Sequence, residues 1–501
     1  MLVDDISFRS SREQLANEEL NRRFTHDRDF ARGECLGRAT VQRFGFGRCP
    51  SFKRALNVAA AMVATRGKSL PHQHEDWRDL KAAYRFFNNS KVTPFELQRA
   101  HREQVKGEFS SCSRMLAVHD GSELDFSSHR SVEGLGFIGD GHGRGLLQQS
   151  SLGVTTDGEL RGVLHQIWWK RTRTPEGETR RQRQARYKES DLWSDSIRAV
   201  ADLGLAPRVI HVMDRGGDNF DALNTAYDTN DGFLVRARHD RYVHDRQEHL
   251  WAFMQRQPVA GSRDVCVPRR PAKKGKPAQP ARVARLAVRF APLVFPCPTN
   301  DPRFKKPLSL WGVYVVETDP PADVDAIEWM LLTSEAVETV ADAHERVDWY
   351  TYRWIIEEWH KAWKTGCRVE ASQLKSAEAL ERLAALAAVV AVRLIQLRDL
   401  AQATLKEKPD DPNSPSEQPS ALRAVAPQAW ITVVSHLARC PVAEMTPRLF
   451  WLTLAKRGGF IGRKNDGMPG WQTIWKGWSE VMLIVQGFEL HSAPPERESC
   501  G

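Results

Sequence analysis

The spacing of hydrophobic residues changes after about residue 100. Before that point the apolar residues between Leu56 and Val63 are spaced to share one face of a helix, and residues 82–87 form a second helical segment. From about residue 111 the apolar residues fall into short runs typical of strands, and Thr156-Asp157-Gly158 is the turn of a hairpin. The pattern therefore predicts a helical module followed by an α/β domain.

The second half of the chain has its own sequence of patterns. Strand-like runs continue through a β-rich stretch at about residues 222–338, and a strongly helical segment follows from about 340 to 405. Residues 408–420 are rich in proline, serine and charge, which predicts a linker. A helical part rich in tryptophan comes after it.

Two of the strand-like runs lead into an aspartate. Met115 to His119 is followed by Asp120, and Arg208 to Met213 is followed by Asp214. An aspartate at the end of a strand is by itself more often a turn former than a catalytic group. We expect both aspartates at strand ends.

The segment Asp348 to Gly366 is the most informative of the chain. On one continuous helix at roughly 100° per residue, five polar side chains share a stripe and tryptophans fill the opposite side; the five are Tyr350, Arg353, Glu357, Lys361 and Lys364. Glu358 lies about 100° round the helix, which favours Glu357 as the functional acid. The alternative is a surface helix with ion pairs such as Glu357 with Lys361.

Taken together, Asp120, Asp214 and Glu357 form a candidate catalytic metal site. Three carboxylates that converge can hold two divalent ions roughly 3.5–4 Å apart, the arrangement that activates and stabilises the oxygens of a phosphodiester. Hard oxygen ligands favour Mg²⁺, with Mn²⁺ able to substitute. Because it follows a helical run and lacks the required earlier glycine, Gly67-Lys68-Ser69 is not a phosphate-binding loop, and we expect no nucleotide cofactor.

Charge points to a polyanionic partner. The chain of 501 residues has a formal net charge of +9, and residues 31–70 contain eight basic residues and one acid, a local charge of +7. Candidate DNA contacts in this segment are Arg43, Arg48, Lys53 and Arg54. No apolar run approaches the roughly 18 residues that span a bilayer, and no secretory signal is evident, so we expect a cytoplasmic, nucleoid-associated protein without membrane contact.

These motifs together resemble the DDE transposases of the insertion-sequence-four family. Tyr350, Arg353, Glu357 and Lys364 match that family's Y-x2-R-x3-E-x6-K signature. Further counterparts run nearly end to end, namely GKSL, AAYRFFNN, LHQIWW, DRGGD, EWMLLTSEAVE and RGGFIGRKNDGMPGWQTIWKGW. The four-residue signature is moderately specific alone, and the ordered set is highly specific.

The resemblance implies a fold and a domain order. It implies an α/β, ribonuclease-H-like catalytic core with a β-rich insertion, flanked by an N-terminal helical DNA-binding domain and a C-terminal helical dimerisation domain. The expected bounds are 1–100 for the DNA-binding domain, 101–405 for the catalytic domain with its insertion at about 222–338, 406–420 for a linker, and 421–501 for the dimerisation domain.

It also implies roles for particular residues. Asp120, Asp214 and Glu357 would be the metal ligands, and Trp329, 21 residues before Tyr350, would stack on a base flipped out during hairpin formation. The residues expected to bind DNA phosphates are Tyr350, Arg353, Lys361, Lys364 and Arg236. The alternative for Trp329 is a core position in a strand.

The implied activity is cut-and-paste transposition by a homodimer on transposon-end inverted repeats. Metal-dependent cleavage would free a 3′-OH, form and open a hairpin, and join the end to target DNA. The alternatives are a metal-dependent nuclease without strand transfer and an inactive, DNA-binding transposition inhibitor. Two features depart from the family: DRGGD replaces the commoner DREAD, which could loosen the turn after Asp214, and Glu123 and Asp125 could compete for metal.

Overall fold

The computed structural model describes residues 50–64, 68–74, 76–244, 247–267, 279–299, 301, 303–322, 324–407, 414–463 and 466–492. By their contacts these residues form two compact units. The sheet unit comprises His101–Glu123 and Gly136–Glu357. The helical unit comprises the described residues up to Ala100, Leu124–Leu135, and the described residues from Glu358 onward.

The sheet unit contains the strands. They are β1 (Arg114–Asp125), β2 (Gly136–Ile138), β3 (Gly143–Val154), β4 (Leu160–Trp169), β5 (Arg208–Met213), β6 (Gly232–Arg236), β7 (Tyr242–Val243), β8 (Glu248–His249), β9 (Gly261–Val267), β10 (Arg282–Phe295), β11 (Leu308–Glu317) and β12 (Glu328–Thr333). The main sheet has the order β2-β3-β1-β5-β6-β12-β11-β10-β9, with β4 also paired to β3, and β7 pairs with β8 separately.

The middle of this sheet is parallel and its two sides are antiparallel. Strands β1, β5 and β6 run parallel, with Val118 opposite Val212. The predicted hairpin is confirmed, because β3 and β4 pair antiparallel around a turn in which Gly158 has a φ of +92°. Only a residue without a Cβ adopts that conformation without strain.

The β-rich insertion starts later than predicted. The expected start was residue 222, but the helix Phe220–Asp228 leads into β6, which pairs parallel with β5 and so continues the core. The added antiparallel strands of the main sheet, β9 to β12, follow Arg236. A strand with β-type composition cannot be assigned to core or insertion until its partner is known.

Helices precede, interrupt and follow the strands. They are α1 (Pro50–Ala64), α2 (Leu70–Gln73), α3 (Trp77–Phe87), α4 (Pro94–Leu97), α5 (Arg99–Phe109), α6 (Arg180–Ala185), α7 (Asp191–Ala201), α8 (Phe220–Asp228), α9 (Leu250–Arg256), α10 (Val340–Thr351), α11 (Trp354–Lys361), α12 (Ala377–Lys406), α13 (Pro419–Val425), α14 (Gln428–Ala438), α15 (Pro447–Arg457) and α16 (Trp471–Ser492). Side-chain caps define several starts, including Asp76 for α3 and Ser376 for α12.

Helix α12 organises the helical unit. Its apolar run from Leu383 to Val392 is buried throughout, and its position confirms the helix predicted at about residues 340–405. Gln98 donates to the Ala385 carbonyl at 2.9 Å, and Arg382 donates to the Phe87 carbonyl at 2.9 Å. A helix that is apolar all round needs neighbours on every side. Its contacts therefore group it with the N-terminal helices, unlike the predicted domain bounds at residues 100 and 405.

The predicted linker is shorter than expected. Residues 408–413 lie outside the described residues, but a 3₁₀ turn occupies Pro415–Glu417 and α13 starts at Pro419. Ser416 is buried and its backbone N–H donates to Glu407 at 3.2 Å. The three tryptophans of α16, Trp471, Trp475 and Trp478, are buried in the helical part that the sequence predicted after the linker. Within the described residues no helix is long and apolar enough to cross a membrane.

Candidate active site

Asp120 and Asp214 lie side by side in the middle of the main sheet. Val118 of β1 is opposite Val212 of β5 in a parallel register, so each aspartate comes two residues after a matched pair. Side chains two residues apart on a strand point to the same face. The register therefore aims both carboxylates at one spot.

The prediction that both aspartates end their strands is half confirmed. Asp214 directly follows β5, which ends at Met213. Asp120 lies inside β1, because that strand continues to Asp125. The polar residues after Asp120 predict the end of the strand there, but β1 continues through them.

The predicted continuous helix from Tyr350 to Lys364 is wrong. Helix α10 ends at Thr351, α11 starts at Trp354, and residues Ala362–Gly366 form a π-helical turn. At the junction the backbone N–H of Arg353 donates to the Tyr350 carbonyl, three residues back, at 3.2 Å. Such a tight turn changes the helical phase, so the uniform 100° spacing does not hold across it.

Arg353 connects two of the three predicted acids. One guanidinium nitrogen lies 3.2 Å from a Glu357 oxygen and 3.7 Å from an Asp120 oxygen. The Arg353 side chain is 11% exposed and that of Asp120 is 16% exposed, whereas that of Glu357 is 38% exposed. The interrupted helix therefore brings Arg353 and Glu357 to the strand that carries Asp120.

Electrostatic crowding is strongest at Asp120. Burial, then repulsion from Asp214 and from Glu357, raises the pKa of Asp120 to about 7, although Arg353 and the Gly121 N–H oppose the rise. Both of the other carboxylates therefore act on Asp120. Arg353 does not neutralise them fully.

This donor set fits a divalent cation. Three carboxylates whose mutual repulsion is incompletely offset are the hard oxygen ligands that such cations prefer. Within the described part of the chain, however, no three His, Cys, Asp or Glu side chains are already arranged as a metal-holding group. In this arrangement Arg353 lies between Asp120 and Glu357 and contacts both.

Tyr350, Arg236 and Trp329 form the wall beside the carboxylates. Burial raises the pKa of Tyr350, while the neighbouring cations Arg353 and Arg236 oppose the rise. Arg236 also donates to the Glu328 carbonyl at 2.8 Å. The Trp329 and Tyr350 rings meet edge to face with centroids 5.6 Å apart, and Trp329 is half-buried rather than a core residue.

The turn after Asp214 is tight, contrary to the expected loosening. Asp214 accepts from the Gly216 N–H at 2.7 Å and caps a 3₁₀ turn over Arg215–Gly217. A Cβ on Gly217 would lie 2.6 Å from the Met213 Cβ, and a Cβ on Gly216 would lie 2.8 Å from the Trp193 ring. Close packing on both sides explains the paired glycines.

Glu123 and Asp125 have other partners, so the expectation that one competes for metal finds no support. Glu123 accepts from the Gly139 N–H at 2.9 Å and pairs with Arg171 at 3.3 Å. Asp125 accepts from the Ser127 N–H at 2.8 Å, and its hydrogen bonds with Ser127 lower its pKa.

Three further predicted DNA contacts, Arg54, Lys361 and Lys364, lie in the helical unit. Lys361 pairs with Glu358 at 2.6 Å, rather than with Glu357, and Lys364 lies 3.5 Å from Glu370. Arg54 pairs with Asp79 at 2.8 Å. Arg43 and Arg48 lie outside the described residues, as does the side chain of Lys53. Their DNA contacts stay predictions.

The sequence analysis missed a buried histidine network on the other face of β1 and β5. Ser151 bonds to the His119 Nδ1 at 2.8 Å, the His119 Nε2 to the His211 Nδ1 at 2.8 Å, and the His211 Nε2 lies 3.3 Å from Asp231. Both rings are fully buried. A polar residue within an apolar strand run, as in AVHD and VIHVMD, was the available signal.

Comparison with known families covers three parts of the chain. Residues 51–92 match the family model described as transposase DNA-binding, residues 237–393 match the transposase DDE domain, and residues 420–495 match the transposase Tn5 dimerisation domain. The DDE match contains Trp329, Tyr350, Arg353 and Glu357 but neither aspartate.

The three matches follow the order that the sequence predicted, and the sheet supplies the α/β core expected of a ribonuclease-H-like enzyme. The matched domains also imply DNA as substrate, a divalent metal as cofactor and a second copy of the chain as partner. The chain belongs to the Tn5-like DDE transposases and is a cut-and-paste DNA transposase.

Proposed function

We propose that Asp120, Asp214 and Glu357 form the catalytic centre, that they hold two Mg²⁺ ions, and that Mn²⁺ can replace them. The centre cuts at inverted repeats that bound the transposon and then joins the freed ends to target DNA. The observation that carries the proposal is the convergence of the three acids: the register of β1 and β5 places Asp120 beside Asp214, and Arg353 contacts both Asp120 and Glu357. The raised pKa of Asp120 agrees with this crowding. Divalent ions, when bound, would activate the attacking oxygen and stabilise the leaving oxygen.

The cationic residues beside the carboxylates hold the DNA backbone. Arg353 and Arg236 lie against Tyr350, and a planar guanidinium can bind two phosphate oxygens at once. Arg353 contacts both Asp120 and Glu357, so its guanidinium lies beside the carboxylates where the reacting phosphate would bind. Arg353 therefore both balances the charge of the two acids and positions the substrate.

Trp329 holds a flipped base in a hairpin intermediate. Its half-buried ring meets the Tyr350 ring edge to face, which fixes the indole while leaving part of it open. Unstacking a base costs a few kcal/mol, and an aromatic surface offsets part of that cost. We expect Trp329→Ala to slow hairpin formation more than the first cut.

The N-terminal module binds the repeat ends and the last helix forms the dimer. The DNA-binding match covers Lys53 and Arg54, and Arg54 is held by an exposed ion pair that a phosphate can replace. On α16, Leu483, Ile484 and Phe488 are exposed although the tryptophans of the same helix are buried. An apolar face of this kind suits the homodimer contact.

The test is a denaturing-gel assay with a DNA fragment that carries the inverted repeats flanking the gene. We expect Mg²⁺-dependent nicks with 3′-OH ends at the repeat boundary, then hairpins, then joined products with a target plasmid. Glu357→Gln should bind the repeats as the wild type does and cut nothing, since it removes a charge with little change in size.

The outcomes separate the candidate functions. Cutting by Glu357→Gln at the wild-type rate would remove Glu357 from the mechanism. Nicks and hairpins without joined products would mark a nuclease that does not transfer strands, and repeat binding without cutting by the wild type would mark an inhibitor.

Neutralising Arg43, Arg48, Lys53 and Arg54 together should flatten the salt dependence of repeat binding by roughly one unit of slope per lost phosphate contact.

A further inference from the structure

Residues 170–189 form an exposed basic segment between β4 and α7. The segment contains eight Lys or Arg and three Glu, a charge of +5. Arg173, Arg181 and Lys188 are exposed, and Arg183 is 67% exposed with its nearest acid, Glu178, at 3.6 Å. None of the three matched family models includes this segment.

The topology brings the basic segment to the edge of the sheet that carries the aspartates. Strand β4 is antiparallel to β3 and starts with Leu160 opposite Val154, so β4 ends beside the beginning of β3, where Leu147 faces Trp169. Strand β3 also neighbours β1, where Ser151 bonds to His119 and Gln149 lies beside Gly121. Residue numbers that rise along β1 therefore fall along β3, so β3 is antiparallel to β1 as well as to β4, and β4 runs in the same direction as β1. Contacts of the segment confirm its place.

Both ends of the basic segment are anchored near the candidate catalytic residues. Arg171 pairs with Glu123, three residues after Asp120 on β1, at 3.3 Å, and with Glu189 at 2.8 Å. Just past the other end, the Trp193 ring packs against Gly216 in the turn capped by Asp214. The segment is therefore closed by the Arg171–Glu189 pair, tied at one end to the strand that carries Asp120 and followed by a helix that packs on the turn capped by Asp214.

We propose that the basic segment binds the phosphate backbone of target DNA during strand transfer. This inference rests on the proposed function, because it requires joining of cut ends. Exposed Lys and Arg side chains give a sequence-independent attraction to duplex DNA. Target DNA must reach the same carboxylates as the transposon end, and the end already has its own DNA-binding module at residues 51–92.

The experiment neutralises the exposed charges without touching the anchors. The triple variant Arg181→Gln, Arg183→Gln and Lys188→Gln is compared with the charge-conserving triple Arg181→Lys, Arg183→Lys and Lys188→Arg. Each protein is assayed for cutting of a repeat-bearing fragment and for joining of precut repeat ends to a supercoiled plasmid that lacks the repeats. Binding of a nonspecific duplex is measured by fluorescence anisotropy in Glu357→Gln protein loaded with precut ends, over a range of salt.

The neutral triple should cut within about twofold of wild type and join ends at least about tenfold more slowly. The slope of log K against log salt for the nonspecific duplex should fall by roughly two to three, about one per lost phosphate contact. The charge-conserving triple should behave as wild type in all three assays.

Two results would overturn the assignment. Equal loss of cutting and joining would place the segment on transposon or flanking DNA, and an unchanged salt slope would show that it binds no target. If the wild type itself cuts but joins nothing, the proposed function fails, yet the salt slope of the loaded Glu357→Gln protein still decides whether the segment binds DNA.

Discussion

The two faces of strands β1 and β5 carry polar clusters of opposite character. On one face Asp120 and Asp214 lie with Glu357, where burial and like charges raise the pKa of Asp120 to about 7. On the other face His119 and His211 are hydrogen-bonded to each other, His119 also to Ser151 and His211 also to Asp231, and burial holds the pKa of His119 well below its usual value. The first cluster brings like charges together, and the second is held together by hydrogen bonds.

This difference shows how a single pair of strands can be both a scaffold and a reactive site. Buried polar groups that satisfy one another fix the strands in register, as the imidazole bond between β1 and β5 does. Carboxylates that repel one another destabilise the metal-free protein and are retained where a cation is needed. Substitutions on the two faces should therefore have opposite effects on stability.

The largest expected effect comes from Asp120→Asn. Cutting should fall by on the order of 10³-fold or more, because a metal ligand loses its charge. In metal-free buffer the same variant should be more stable than wild type by about 1 kcal/mol, since the repulsion among the carboxylates is relieved. Denaturant unfolding and the gel assay measure the two effects.

Asp125→Asn is the matched control, with the same chemical change five residues further along β1. Its carboxylate accepts a hydrogen bond from the Ser127 N–H, and the hydrogen bonds with Ser127 lower the pKa of Asp125. We expect it to keep cutting and to lose a little stability. A stability loss in Asp120→Asn would contradict the description of the carboxylate face.

The second prediction concerns pH. Burial and the nearby Arg102 lower the pKa of His165 to about 4, although Asp202 opposes the shift. Because the unfolded chain binds this proton near pH 6.5 and the folded chain only near pH 4, stability falls as the pH drops from about 6.5 to 4 and then stays level. At roughly 1.4 kcal/mol per pKa unit, the loss from this residue is up to about 3 kcal/mol.

The check is the denaturant midpoint at pH 7.5, 5.5 and 4.5 for wild type and for His165→Gln. The variant removes this titration, so its stability should fall less over the interval. An equal fall in both proteins would mean that His165 does not carry the depressed pKa.

The sequence predicted the chemistry of the site better than its geometry. Local patterns identified Asp214 after a strand and Glu357 on a helix, because both depend on neighbouring residues. The helix break at Arg353, the continuation of β1 past Asp120 and the parallel partner of β6 depend on contacts distant in sequence. Periodicity carries no information on such contacts.

The third prediction concerns the hydrogen bond between His119 and His211. His211→Leu should destabilise the protein by about 2 kcal/mol, because it leaves the His119 Nε2 and Asp231 without their buried partner. The double variant His119→Leu and His211→Leu should cost less than the sum of the two single changes, since it removes both members of one hydrogen bond. Denaturant unfolding of the three variants completes the cycle, and strictly additive costs would show that the two rings do not depend on each other.

The smallest expected effect comes from the turn Arg215–Gly217, which Asp214 caps. Gly217→Ala should cost about 1 kcal/mol, because the new Cβ would lie 2.6 Å from the Cβ of the fully buried Met213. The shift needed to relieve this contact moves the turn capped by Asp214, so cutting should slow by a few fold as well.

Gly107→Ala in helix α5 is the control, because a Cβ there meets nothing within 4 Å. Alanine in a helix stabilises by roughly 0.5–1 kcal/mol relative to glycine. If both substitutions raised the melting temperature and left cutting unchanged, the paired glycines of DRGGD would not be required by packing around Asp214.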